Sequence, residues 1–90
     1  KNNIKNNDTG SSNIAIGSFA GRNTDASGNV IIGDLALEQN ASGNNNVAIG
    51  NGVANQSYNA SGSIFIGNQA GYNEANGNRL YIENSSANQN

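Results

Sequence analysis

The stretch "NNVAIGNGVA", residues 45–54, contains the unit that the rest of the chain repeats. Its centre is an apolar triplet that ends in Ile-Gly. The isoleucines of successive units are separated by 16, 17, 17 and 16 residues. Regular repetition at such a period is typical of solenoid proteins, in which each unit stacks on its neighbours. The other units are "NIAIG" (13–17), "NVIIG" (29–33), "SIFIG" (63–67) and "RLYIE" (79–83).

Each unit has apolar residues at alternating positions, which is the pattern of a β-strand. The alternating residues are Ile14 and Ile16, Val30 and Ile32, Val47 and Ile49, Ile64 and Ile66, and Leu80 and Ile82. The residues between them are also apolar, and strands with two apolar faces are normally covered on both. We therefore expect one face to line the interior of the coil and the other to contact a neighbouring chain. The intervening residues are Ala15, Ile31, Ala48, Phe65 and Tyr81.

A glycine follows four of the five strands and predicts a positive φ or a close backbone approach. These glycines are Gly17, Gly33, Gly50 and Gly67, and Glu83 takes the fifth position. An alanine follows each glycine, which predicts a second, weaker strand around Ala20, Ala36, Ala54 and Ala70. Ser-Gly and Asn-Gly pairs predict the remaining turns. The sequence thus predicts an all-β parallel roll or solenoid of about five 16–17-residue coils over residues 13–87, with polar flanks at 1–12 and 88–90.

The composition restricts the function. Hydrophobic residues make up 34% of the 90 residues, which is too few for an ordinary globular core and favours core formation between repeats or between chains. Four basic residues and a net charge of −2 argue against a nucleic-acid partner. No apolar run approaches the roughly 20 residues that span a membrane.

Catalysis is not expected, because the chain has no His and no Cys for a nucleophile–base pair. A glycosidase-type pair of carboxylates remains an alternative by count alone. We expect no cofactor and no metal. The alternative is a calcium site at Asp25 and Asp34, which we weigh against simple turn chemistry.

Several polar and aromatic residues are candidates for special roles. Asn13, Asn29 and Asn46 share one repeat position and predict either a side-chain ladder or, preferably, turns that lead into the strands. Tyr58 and Tyr72 lie in predicted turns and are the candidate surface-contact residues. Phe65 and Tyr81 align with small core positions, which predicts a place in the core or at an interface.

The segments "NIAIGSFA", "NVAIGNGVA" and "SIFIGNQAG" resemble the repeats of YadA-like head domains of trimeric autotransporter adhesins. The later part also resembles IGxxAG repeats of bacterial surface and phage-like tail-fibre proteins. The resemblance implies a left-handed parallel β-roll, three chains wound around a common axis, and an extracellular location. It also implies binding to cells, matrix or other surfaces.

These observations predict a non-enzymatic, extracellular adhesive or structural fibre module, such as a trimeric adhesin head on a bacterial cell surface. We expect its partners to be two further copies of the chain and a surface receptor, matrix protein or glycan. One alternative is a tail-fibre or contractile-injection-system segment that recognises a host surface. Another is a β-solenoid that binds ice or a glycan lattice.

Overall fold

A computed structural model describes residues 10–22, 25–39, 43–56, 59–74 and 76–83 of the chain. Five short strands form one parallel sheet in sequence order, and the chain winds through about four turns of a β-solenoid. The predicted solenoid is therefore confirmed, with about four complete turns where the sequence predicts about five coils. The strands are β1 (Ile14–Ile16), β2 (Val30–Ile32), β3 (Val47–Ile49), β4 (Ile64–Ile66) and β5 (Leu80–Ile82).

The register of the sheet follows the sequence repeat. Each strand pairs in parallel with the next, so that residues at equivalent repeat positions form continuous columns. Main-chain bonds on either side of the strands extend this pairing, as in the bond of 2.9 Å from the Val47 N–H to the Ser63 carbonyl. A coil that advances by one strand spacing rises about 4.8 Å.

The glycines after the strands adopt positive φ, as predicted. Gly17, Gly33, Gly50 and Gly67 have φ of 130°, 137°, 138° and 122°. A β-carbon on Gly17 would lie 2.6 Å from the Gly33 carbonyl oxygen, and one on Gly50 would lie 2.6 Å from the Gly67 oxygen. Both predicted reasons for glycine therefore hold, because the corner needs an unusual backbone conformation and leaves no space for a side chain.

The prediction of a second strand is wrong for the described residues. Residues 17–22 form two overlapping turns, closed by bonds from the Ala20 N–H to the Gly17 oxygen (3.3 Å) and from the Arg22 N–H to the Phe19 oxygen (3.2 Å). Phe19 has a φ of 60°, which interrupts an extended conformation. The coils still bond to one another here, for example through the 2.8 Å bond from the Leu37 N–H to the Val53 oxygen.

The core is a narrow column inside the coils. The central strand residues Ile31, Ala48 and Phe65 are fully buried. They pack with fully buried residues of the turns, which are Ala20, Ala36, Leu37, Val53, Ala54 and Ala70. The Phe65 and Tyr81 rings stack with centroids 5.7 Å apart. Phe65 thus lies in the core, and Tyr81 packs against the C-terminal end of the core.

The described coils extend from residue 10 to residue 83. The flank residues 1–9 and 88–90 and the last part of the predicted repeat domain, 84–87, lie outside the described residues. Within the described part of the chain, no helix has the length and apolar character needed to cross a membrane.

Candidate functional site: an exposed aliphatic face

The outward face of the sheet carries two columns of aliphatic side chains, which we call the aliphatic face. Because side chains alternate along a strand, the first and third residues of each strand point away from the core when the central residue points inward. The first column is Ile14, Val30, Val47, Ile64 and Leu80, and the second is Ile16, Ile32, Ile49, Ile66 and Ile82.

The aliphatic face is open to solvent in the single chain. The exposed fraction is 54% for Ile14 and 57% for Ile16 at one end, and 66% for both Leu80 and Ile82 at the other. Ile64 is 41% exposed, and the other members are half-buried by their neighbours within the columns. The sequence predicts that one apolar face of each strand lies outside the coil, and the structure shows which residues form it.

The size of the aliphatic face follows from strand geometry. Five strands spaced about 4.8 Å apart and three residues of about 3.3 Å each cover roughly 24 by 10 Å, or about 240 Å² in projection. The largest apolar patch of a typical single chain measures about 300–600 Å², so the aliphatic face is distinguished by its regular arrangement rather than by its area. The regular flat surface is therefore the strongest candidate site in the described residues.

A buried ladder of polar side chains holds the start of each strand in place. The Asn13 Oδ1 accepts a bond of 2.9 Å from the Asn29 N–H, and the Asn29 Oδ1 accepts one of 2.8 Å from the Asn46 N–H. Ser63 continues the series: its N–H donates to the Asn46 Oδ1 over 2.9 Å, and its Oγ accepts from the Arg79 N–H over 3.0 Å. Asn29, Asn46 and Ser63 are almost completely buried.

The asparagine ladder corrects our preferred interpretation, in which Asn13, Asn29 and Asn46 only form turns that lead into the strands. They do lie where the chain turns into the strands, but their side chains bond from coil to coil rather than only within one turn. Each amide group also donates to a main-chain oxygen, as in the 2.7 Å bond from the Asn46 Nδ2 to the Ala60 oxygen. A buried amide must satisfy both its donor and its acceptor, and the stacked coils provide partners for both.

A second ladder lies on the exposed side of the same turns and was missed by the sequence reasoning. The Ser11 N–H donates to the Ser27 Oγ over 2.9 Å, and the Ser27 N–H donates to the Asn44 Oδ1 over 2.8 Å. The Asn44 N–H donates to the Ser61 Oγ over 2.9 Å. Aligning the five units would have placed these residues in one column, which is the signal that could have revealed them.

A polar network also runs along the turns that follow the glycine corners. Arg22 forms an ion pair with the mostly buried Glu38, and its guanidinium carbon lies 4.4 Å from the centroid of the Phe19 ring. The Glu38 Oε1 accepts a bond of 3.1 Å from the Asn55 Nδ2. The network joins three consecutive coils and so stabilises the stack on which the aliphatic face is built.

A third polar group closes the C-terminal end. The Tyr81 hydroxyl donates a hydrogen bond to the Glu74 carboxylate, which lies 3.9 Å from the Arg79 Nε. This hydrogen bond, helped by one of 2.9 Å from the Asn76 N–H, lowers the pKa of Glu74 below its ordinary value. The same bond raises the pKa of Tyr81, because it stabilises the protonated phenol.

The predicted contact and metal residues do not form one site. Tyr72 is 36% exposed and lines a shallow depression of about 350 Å³ at the C-terminal end, together with Tyr81 and Glu74. Tyr58 lies outside the described residues. Asp25 and Asp34 are both exposed, and the described chain contains no group of three or more acidic, His or Cys side chains suited to a metal ion.

The geometry defines a class of protein, a parallel β-solenoid with one exposed aliphatic sheet face. Comparison with protein-family models, with curated proteins and with solved structures finds no match for this chain.

Proposed function

We propose that the chain is a structural module of an extracellular adhesive fibre, in which three copies associate side by side through the aliphatic face. The single observation that carries the proposal is the pair of five-residue aliphatic columns on the outside of the sheet. The likeness of the repeats to trimeric adhesin heads supports the number of copies and a left-handed winding of the roll.

Covering the aliphatic face would stabilise an assembly of chains. Full burial of a Val, Leu or Ile side chain stabilises by about 1.5–3 kcal/mol. Between 41% and 66% of the residue surface remains to be buried at the five exposed positions, and a smaller share at the other five. The ten positions together offer on the order of 10 kcal/mol per chain before the entropy of association is subtracted. The same residues in contact with water promote association.

The polar remainder of the surface suits display rather than assembly. The outer turns carry exposed polar residues such as Asp34, Asn51 and Asn68. Repetition in three chains would present each of these turns three times, and avidity then raises the apparent affinity for a surface receptor, matrix protein or glycan without new contacts. This arrangement would serve an adhesin head and a tail-fibre segment equally well.

The absolute mass of the folded species tests the assembly. We expect light scattering to give three times the 9.2 kDa chain mass, with a β-rich circular dichroism spectrum. The double variant Ile32→Thr and Ile49→Thr keeps β-branched side chains in the strands but makes the face polar, so it should give a β-rich monomer. The matched control, Asn51→Thr and Asn68→Thr, changes exposed turn residues and should remain a trimer.

A β-rich wild-type monomer would overturn assembly through the aliphatic face, and a mass of twice the chain would replace the trimer by two sheets packed face to face. Adhesion is tested next, by binding of the native assembly to arrays of glycans and matrix proteins. The Ile32→Thr and Ile49→Thr variant should lose avidity there, while the turn control should change binding only if those turns contact the ligand.

A second candidate function is attachment to an ordered lattice such as ice or packed glycan. The observation that favours it is the regular spacing of the aliphatic face, about 4.8 Å between strands and about 6.6 Å between the two columns. Thermal hysteresis in a monomeric preparation, abolished by the Ile32→Thr and Ile49→Thr changes, would favour this candidate over the trimer.

A further inference from the structure

We propose that the last described coil, residues 76–83, is a cap that prevents any further coil from stacking on it in the same register. The strand of this coil keeps the aliphatic pattern of the other four. Two of the repeat positions through which each coil contacts its successor are nevertheless changed in this coil.

The first changed position is the glycine corner. In the four preceding coils a glycine with φ between 122° and 138° lies against the main chain of the next coil. The corresponding residue of the last coil is Glu83, which does not adopt a positive φ. A residue with a side chain strongly disfavours that conformation, and its β-carbon would meet the backbone of an added coil.

The second changed position is the buried asparagine ladder. In each coil the side-chain oxygen at this position accepts a bond from the main-chain N–H of the next coil, as Asn46 does from Ser63. Arg79 takes this position in the last coil, and its guanidinium group has no acceptor. A further coil would lose that bond.

Burial of Arg79 would make the stacking of a further coil still less favourable. The equivalent residues Asn29, Asn46 and Ser63 are at most 1% exposed because the following coil covers them. An added coil would cover Arg79 in the same way, although half of its side chain is now exposed. Removing a guanidinium from water without a full set of partners is unfavourable. Arg79 thus opposes stacking in two ways: its charge would be buried, and its side chain has no oxygen to accept the bond from the next coil.

The last coil also covers the end of the core. The Tyr81 ring stacks on Phe65 and its hydroxyl bonds to Glu74, which fixes the ring across the column. Edge strands with exposed apolar residues such as Leu80 and Ile82 are sites of unwanted pairing unless charged residues protect them. Arg79 and Glu83 flank this strand and supply those charges.

The test uses two six-coil chains. Both receive a second copy of residues 50–66 between Ile82 and Glu83. In the open chain this copy begins with its native glycine and Arg79→Asn is introduced. In the closed chain the copy begins with Glu and Arg79 is kept. The measured quantity is hydrogen exchange at the Leu80 amide, which would donate to an added coil as the Ile64 N–H donates to the Arg79 oxygen.

We expect exchange at Leu80 to slow by about 100-fold in the open chain and to stay at the wild-type rate in the closed chain. The matched control carries the same copy between Ile66 and Gly67. At that place the inserted coil stacks on a coil that has Ser63 in the ladder and a native glycine after its strand. Protection of Leu80 in both six-coil chains would overturn the cap. Protection of Leu80 in neither chain would also overturn the cap. It would show that replacing Arg79 and the corner glutamate does not allow a further coil to stack.

Discussion

The aromatic ring of Phe65 occupies the space that a β-carbon on Gly71 would need. A side chain at Gly71 would have the Phe65 ring atoms Cδ1 and Cε1 as its closest neighbours, and the glycine itself adopts a φ of 62°. In the preceding coil, Ala48 takes the position of Phe65 and Ala54 takes the position of Gly71. The smaller side chain of Ala48 leaves space for the β-carbon of Ala54. In these two coils the strand residue and the turn residue differ together, so that close packing is kept with different side chains.

We expect Phe65→Ala and Gly71→Ala to destabilise the fold separately but to compensate partly when combined. Phe65→Ala leaves a cavity and should lower the free energy of unfolding by about 3–5 kcal/mol. Gly71→Ala introduces a clash and should lower it by about 1–3 kcal/mol. The double variant recreates the pair of the preceding coil, so its loss should be at least 1 kcal/mol smaller than the sum. Urea unfolding at one protein concentration measures all three, and simple additivity would contradict this packing account.

The buried asparagine ladder predicts a large effect at Asn46. Asn46→Ala removes the acceptor of the Ser63 N–H and the donor to the Ala60 oxygen, both in buried surroundings. Leaving these groups without partners should lower the free energy of unfolding by about 2–4 kcal/mol.

Two further variants show whether burial is the cause. Asn46→Ser keeps an acceptor oxygen, as Ser63 does in the next coil, and should lose about half as much. Asn44→Ala removes a bond of similar length on the exposed ladder and should lose about 1 kcal/mol or less. Equal losses for Asn44→Ala and Asn46→Ala would show that burial of the ladder has no energetic consequence.

Gln69 offers a stabilising substitution. It is exposed and has a φ of 58°, whereas the equivalent residue of the preceding coil is Gly52 with a φ of 65°. A left-handed conformation is unfavourable by about 1–2 kcal/mol for a residue with a β-carbon. Gln69→Gly should therefore raise the free energy of unfolding by about 1 kcal/mol, net of the added flexibility of the unfolded chain. Gln69→Ala keeps the β-carbon and should give no gain, and a gain from alanine would refute the conformational explanation.

The contact between Tyr81 and Glu74 predicts two opposite pH dependences at the C-terminal end. The pKa of Glu74 is lowered from 4.5, so its contact stabilises the fold above about pH 4.5 and this contribution is lost as the pH falls through the lowered pKa. The pKa of Tyr81 is raised from 10.0, so its contribution is present below pH 10.0 and is lost as the pH rises through the raised pKa.

NMR titration of the Glu74 carboxyl group in wild type and in Tyr81→Phe measures this coupling. Without the hydroxyl, the pKa of Glu74 should move up towards its ordinary value, and the acid-induced loosening of the last coil should weaken. Tyr72→Phe is the matched control and should leave the pKa of Glu74 in place. An unchanged pKa in Tyr81→Phe would mean that the hydroxyl does not cause the shift.

Much of the fold could be predicted from the sequence because the repeat fixes it locally. The alternation around Val47 and Ile49 specifies a strand, and Gly50 specifies a corner that only glycine can occupy without strain. The second strand could not be ruled out in the same way. Residues such as Phe19 and Leu35 adopt positive φ only because the stacked coils hold them there, and nothing in their local preference indicates it.

The candidate site, too, could be predicted from the sequence only in part. The sequence by itself determined that five strands have two apolar faces, because alternation and composition are properties of each strand alone, and a cover for one of them from outside the coil stays a prediction. Only the tertiary structure decided which face that is. Ile31 and Phe65 are fully buried against the turn residues inside the coil, so the flanking aliphatic residues point outward. Whether an asparagine ends in a turn or in a ladder likewise depends on a partner 16 or 17 residues away, which local sequence cannot supply.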